Sequence, residues 1–305
     1  YSTMLVDGVD EASARKMLPA LKSIAWQHAP IGLLSAHFSR FWNHPQPEIW
    51  PTPSGDQGRS HCLSGYDHRV YSQNGEDGLI RHIMSRIASP ERTFVEFGFG
   101  LRENNCLRLM LQEGYRGLYM DGFAPAVRVF NECVRRRRID GVRAAYEYLT
   151  IDNIDATMSR HGFAREVDIL SIDVDGVDYW LWEATRSIAP RLVIMEYNSS
   201  FGPEDSVTVP YESSFDRNTK GARGHYHGAS IAALTLLAGR KGYALIGADR
   251  TGSNAFFVRR DLLDDALQET SPAAAHRWSS HLTEAGEDPL VVRQTLLSMP
   301  LVDIV

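Results

Sequence analysis

Cysteine is scarce in this chain. Its 305 residues hold three, Cys62, Cys106 and Cys133, far apart and odd in number. No disulfide framework and no cysteine metal spacing is visible, and a reducing cytoplasm is the expected compartment. Long apolar runs are missing too, so no bilayer span and no membrane partner are expected. Positive charge is short: 32 Lys plus Arg stand against 38 Asp plus Glu, a formal net charge of −6. That argues against a nucleic-acid partner held by phosphate neutralisation. The one basic run, Arg135 to Arg138, reads as a solvated helix face. The rest, 43% hydrophobic and 23% charged, is ordinary for a globular protein of one large domain or two small ones.

What the chain does have is a strand, glycine turn, helix, strand unit over residues 93–122, TFVEFGFGLRENNCLRLMLQEGYRGLYMDG. Residues 93–97 are β-prone and apolar on both faces, as in a central parallel strand. Gly98 and Gly100 follow at once, where the lack of a Cβ permits a sharp bend and close approach to a ligand. Leu107, Met110 and Leu111 fall on one helical face. Gly114 is placed to end that helix, and a second strand closes on Asp121 and Gly122. An acid about twenty residues beyond the glycine turn suits a nucleoside-binding Rossmann-like unit, because a carboxylate accepts hydrogen bonds from both ribose hydroxyls. Arg102 occupies the place of a third glycine.

Upstream, residues 1–43 read as helical. One stripe is Met17, Leu18, Leu21, Ile24 and Ala25, with Asp10 as N-cap, and a second is Leu33, Leu34, His37, Phe38, Phe41 and Trp42. His37 reads as a packed histidine. These helices could cover the core, lid a site or form a homodimer contact. Residues 43–59 read as a linker. The polar cluster YSQNGEDG at 71–78 precedes an amphipathic helix, and its Glu76 and Asp77 serve either the helix N-terminus or a ligand.

Downstream, apolar runs near residues 142–149, 167–172 and 191–195 alternate with helices, implying a parallel sheet covered on both faces. A polar segment, 199–228, breaks the rhythm, and segments that long inside a domain are often functional. After a helix at 229–237, the runs 243–247 and 254–259 are joined by too short a turn for a crossover, so they pair antiparallel. The tail, 262–305, reads as helical and is cut by Pro272 and Pro289. The fold class is therefore α/β: a Rossmann-like seven-stranded sheet with an antiparallel last strand, as in class I S-adenosylmethionine-dependent methyltransferases, plus an N-terminal helical extension. The expected layout is extension and linker over 1–60, methyltransferase domain over 61–260 with the 199–228 insertion, and helical tail over 261–305.

The pieces YSQNGEDG, TFVEFGFG, GYRGLYMDG, VDILSIDVDGVDYWLW and PRLVIMEYN, in that order over residues 71–198, resemble the FkbM-type methyltransferases. The resemblance implies S-adenosylmethionine as methyl donor and a small or sugar-like acceptor, often methylated on oxygen. Carried over, it implies that Glu96, Gly98 and Gly100 hold the methionine moiety and ribose, and that Asp121 is the ribose acid. It further places Thr150, Asp152 and Asn153 beside the adenine, and Asp173 beside the reacting methyl group.

Methyl transfer from a sulfonium mainly needs the acceptor positioned and deprotonated. The acids at the ends of the fourth and fifth strands, Asp173, Asp175, Asp178 and Glu196, repel one another and call for a cation, an arginine or a shared proton. Asp173 or Asp175 with Glu196 would suit Mg²⁺ or another divalent ion acting as Lewis acid. Asp178 reads as a helix cap. His225 and His227, in GHYHG, are candidate general bases, with Asp173 a third catalytic candidate. Tyr197 and Tyr226 are candidates to orient a substrate, and Trp180 and Trp182 read as packing. Two other readings stand beside methyl transfer: a metal-dependent hydrolase or rearrangement enzyme on the same scaffold, and a non-catalytic nucleoside-binding protein.

Overall fold

A computed structural model of the chain describes residues 30–43, 48–49, 63, 65–265 and 267–305. The first apolar stripe, Cys62 and most of the expected linker lie outside them. Seven strands form the main sheet: β1 Thr93–Phe97, β2 Arg116–Asp121, β3 Val142–Tyr146, β4 Arg165–Ile172, β5 Ile188–Glu196, β6 Tyr243–Ala248 and β7 Asn254–Arg259. Their spatial order is β3-β2-β1-β4-β5-β7-β6. Only β7 runs against its neighbours β5 and β6, so the α/β class with an antiparallel last strand holds. Alternate residues of the buried strands feed opposite cores. Phe94, Tyr119, Ile169 and Leu192 face one layer, while Val95, Leu118, Leu170 and Val193 face the other.

Register is what positions the site. Phe97 pairs with Met120 on one side and Ile172 on the other, so Gly98, Asp121 and Asp173 all emerge at one edge of the sheet. Glu196 pairs with Asn254, bringing the end of β5 and the start of β7 to the same edge. That edge is the carboxyl end of the parallel strands, where sheets of this kind bind ligands.

The second apolar stripe forms helix α1, Ile31–Asn43, which covers the core by packing on α4, Ala124–Arg137. Trp42 meets Phe130 edge-on at 5.2 Å and donates its indole N–H to the Leu101 carbonyl (3.0 Å). Leu33 departs from the expected stripe and is exposed, because the buried arc of α1 runs through Ser35, Phe38 and Trp42. His37 packs against Phe38 and Phe41, as expected.

Between α1 and β1, helix α2 (Glu76–Ile87) follows the YSQNGEDG cluster. Asp77 does more there than favour a helix dipole. One of its oxygens accepts the N–H groups of Val70, Tyr71 and Ser72 at 2.7–2.8 Å, together with the Ser72 hydroxyl, and so sets the loop ahead of its own helix. Helix α3, Leu107–Gln112, follows the glycine turn, and α5, Ile154–Arg160, follows β3. Helix α6, Asp178–Ala184, follows β4, and α7, Ile231–Lys241, precedes β6.

The segment 199–228 is not structureless. Val207–Thr208 pair antiparallel with Val302–Asp303 of the tail. Phe201, Val207, Val209, Tyr226 and Leu296 form a small core of their own. The tail breaks where the prolines predict: α8 is Pro272–Ala275, α9 Ser280–Glu284 and α10 Pro289–Leu297, with both prolines in the first turn of a helix.

Candidate functional site

A cavity of about 1130 Å³ opens at the carboxyl edge of the sheet. Its floor is the glycine turn. Gly98 has φ +69°, and an ideal Cβ there would stand 1.7 Å from the Asp173 carbonyl oxygen; one on Gly100 would stand 2.5 Å from that of Glu103. The turn therefore lies flat against the end of β4, which only glycine permits. Asp121, at the end of β2, accepts from Phe123 N (2.6 Å) and, more weakly, from Phe99 N (3.4 Å), so its carboxylate is aimed along the turn. Burial raises the pKa of that carboxyl despite these bonds. Glu96, Gly98, Gly100 and Asp121 all line the cavity.

Glu96 has a second task. Its oxygens accept from Asn105 N (3.0 Å) and Cys106 N (2.9 Å), tying β1 to the start of α3. Burial pushes its carboxyl up to about 7. Of the three residues expected near adenine, none lines the cavity. Thr150, Asp152 and Asn153 follow directly on the lining residues Glu147, Tyr148 and Leu149, and Asn153 closes its own loop by accepting from Thr150 N and donating to Tyr148 O (2.9 Å each). Tyr148 lines the cavity just ahead of them, and Phe123 lines it from the end of β2, both well exposed. Neither had a local signal in the sequence, because an exposed aromatic in a loop looks like any other.

The acids at the other end gather differently from the expectation. Carboxylate oxygens of Asp173, Asp178 and Glu196 all lie within 4.8 Å of one another. Asp175 is not in this group. Its backbone is left-handed at φ +58°, its side chain is 64% exposed, and it forms an ion pair with Arg217 of the insertion. Asp178 is more than a helix cap: fully buried, it accepts from Val174 N (2.8 Å) and Gly176 N (3.0 Å) and holds the turn after β4.

The compensating positive charge is Arg217, whose Nη1 also lies 3.9 Å from Glu196 Oε1. No local feature of the insertion separates it from other arginines. Desolvation, then the neighbouring carboxylates, raise Glu196 well above the ordinary carboxylate range, with Arg217 opposing.

Asn198, just beyond β5, donates to the carbonyls of His225 (2.7 Å) and His227 (2.9 Å), and Gly228 N donates to Gly176 O (2.9 Å). These bonds draw the end of the insertion onto the acid turn, and both histidines line the cavity. They are not equivalent. His225 Nε2 meets Glu287 Oε2 of the tail at 2.5 Å. His227 is only 7% exposed, and its Nδ1 lies 3.6 Å from Glu196 Oε2. Burial, with Arg217 and His225 nearby, holds His227 well below the usual histidine range, so it is neutral near pH 7.

Of the tyrosine candidates Tyr197 lines the cavity, and both bond the backbone through their hydroxyls. Tyr197 bonds through its hydroxyl to the N–H and carbonyl of Arg277 (3.1 Å each), and Tyr226 donates to Pro300 O. Trp180 donates to Val209 O (2.8 Å) and Trp182 is buried, so both pack.

From YSQNGEDG, Gln73, Asn74 and Glu76 reach the cavity. Glu76 accepts from Asn74 and from Asn254 Nδ2 (2.7 Å), linking this loop to the start of β7.

No family model matches the chain, and no curated protein matches it in sequence. Among solved structures, it is similar to the N-terminal domain of EvdMO1 with SAH bound, at 11% identity and TM-score 0.39, over 61% of this chain and 80% of that one. It is also similar to an O-methyltransferase from Bacillus cereus in complex with SAH, at 15% identity and TM-score 0.39, over 64% and 82% of the two chains. A SAM-dependent methyltransferase from Aquifex aeolicus shares 12% identity at TM-score 0.34, over 59% and 88%.

Proposed function

We propose that this protein is an S-adenosylmethionine-dependent methyltransferase of the FkbM type that methylates an oxygen of a small-molecule acceptor. The observation that carries the reading is the glycine turn pressed against β4, with the Asp121 carboxylate aimed along it, at the floor of an open cavity. A flat, Cβ-free surface beside a carboxylate is what an adenosyl group needs. The volume is ample for a nucleoside and a small acceptor together. The sheet order, with one antiparallel strand set between β5 and β6, agrees with it.

In this reading Asp121 accepts from the ribose hydroxyls, and Phe123 and Tyr148 flank the base. When bound, the donor supplies an already activated methyl group. The chain's own work is then on the acceptor, which enters between the acid group and the insertion. His225 takes its proton in this reading, which its contact with the Glu287 carboxylate supports, since a histidine held by an acid commonly acts as a base. Residues 61–260 form the catalytic unit, 1–60 an extension whose described helix α1 covers the core, and 261–305 a tail that braces the insertion. The acid and imidazole arrangement gives the hydrolase alternative its one support, and donor binding separates the two.

Calorimetry with S-adenosylmethionine tests the core of this. Asp121→Ala removes a charged acceptor worth about 1.5–3 kcal/mol, so donor affinity is expected to fall roughly 10- to 100-fold while thermal unfolding stays cooperative. Unchanged affinity in that variant would refute the ribose assignment. His225→Ala is expected to lower turnover on a competent acceptor by about 100-fold with donor affinity intact. A variant with wild-type turnover would remove His225 from the chemistry.

A further inference from the structure

The acid group has a neighbour that its structural duties do not explain. Among the described residues His227 Nδ1 is buried and has no hydrogen-bond partner, in a residue that is 93% removed from solvent. Glu196 Oε2, 3.6 Å away, is likewise buried and unpaired. A buried polar atom left without a partner is rare and costs about 1–3 kcal/mol. Two such atoms facing each other across 3.6 Å, beside two further carboxylates, need something between them.

We propose that Asp173, Glu196 and His227 are the protein ligands of a divalent transition-metal ion, with Asp178 the carboxylate that sets their geometry from behind. The distances suit this. With metal–ligand distances of about 2.0–2.2 Å, two ligand atoms of one ion stand about 3–3.5 Å apart. The 3.6 Å separation of His227 Nδ1 from Glu196 Oε2 is close to that, and the carboxylate oxygens fall within 4.8 Å. Glu196 is divided between two tasks: Oε1 faces Arg217, and Oε2 is left for the ion. The bonds from Val174 N and Gly176 N to Asp178 are the outer support that a metal site relies on to orient its ligands.

The imidazole decides the class of metal. An all-oxygen set would suit Mg²⁺, whereas two carboxylates and a nitrogen suit Mn²⁺, Fe²⁺, Co²⁺ or Zn²⁺. The ligand set thus replaces the expected Asp175 by His227. It also shifts the expected ion from Mg²⁺ to a transition metal. Such an ion would hold an acceptor hydroxyl and ease its deprotonation; that role rests on the methyl-transfer reading, while the site itself does not.

The test uses the full chain with Mn²⁺ alone, without donor or acceptor. One Mn²⁺ per chain is expected, and its pulsed paramagnetic resonance spectrum should show coupling to a directly bound ¹⁴N. His227→Ala should abolish that coupling and weaken Mn²⁺ binding roughly 100-fold. Wild-type protein that fails to bind Mn²⁺ at millimolar concentration, or binds it without nitrogen coupling, overturns the proposal. So does a folded His227→Ala protein of unchanged affinity. Should that variant misfold, the nitrogen coupling in the wild type still decides. Because no donor is present, failure here leaves the methyl-transfer reading standing, and loss of donor binding in Asp121→Ala leaves this one standing.

Discussion

Gly98→Ala is expected to lose S-adenosylmethionine binding by 100-fold or more and to destabilise the fold by about 2–5 kcal/mol. Two separate costs add. An alanine at φ +69° must hold a left-handed backbone, worth about 1–2 kcal/mol against glycine. Its Cβ would also stand 1.7 Å from the Asp173 carbonyl oxygen, and a backbone atom cannot swing aside as a flexible side chain can. Either the turn lifts or β4 retreats, and overpacking of this kind typically costs a further 1–3 kcal/mol. Both escapes damage the same place, since Gly98 N donates to Met120 O (2.9 Å) and Asp173 N to Phe97 O (3.0 Å). Denaturant titration and calorimetry on one sample measure the two effects. A Gly98→Ala protein with the wild-type unfolding midpoint and donor affinity would show that the turn does not form the cradle described.

The second large effect is on folding. Asp77→Ala is expected to destabilise the protein by about 3–5 kcal/mol, because three backbone N–H groups and a hydroxyl lose their shared acceptor at a residue 2% exposed. Asp77→Asn, which keeps one acceptor oxygen, should recover part of this. The consequence reaches the cavity, since the loop that Asp77 holds carries Gln73 and Asn74 into its lining. An Asp77→Ala variant within about 0.5 kcal/mol of wild type, the range of an ordinary surface change, would mean that water replaces the carboxylate without loss.

These two positions also show where reading the sequence succeeded. The sharp turn at Gly98 was legible because a glycine directly after an apolar strand marks a bend or a close backbone approach, whether or not a ligand lies against it. Asp77 was legible only as an acid near a helix start. Its true partners, the N–H groups of residues 70–72, precede it in a tight loop whose path no periodic pattern reveals. The turn at residues 147–153 shows the same limit. The end of β3 was placed correctly to within a few residues, yet which side chain faces the cavity changes with each residue along a turn. Tyr148 lines the cavity, whereas Thr150, Asp152 and Asn153 do not.

The sequence by itself determined the strands, their order along the chain and the acid that follows each one, because apolar period and glycine position are local properties of the backbone. It determined, too, that so many carboxylates at one edge require a positive counterpart. Only the tertiary structure decided which carboxylates converge and what answers them. Asp175 leaves the group because its left-handed backbone turns it toward Arg217, and Asp178 enters it because the turn folds back over its side chain. His227 and Arg217 arrive from a segment held in place by the tail, through the pairing of Val207–Thr208 with Val302–Asp303. Contacts made across so great a separation in the chain depend on the whole packing, which no short window of residues encodes.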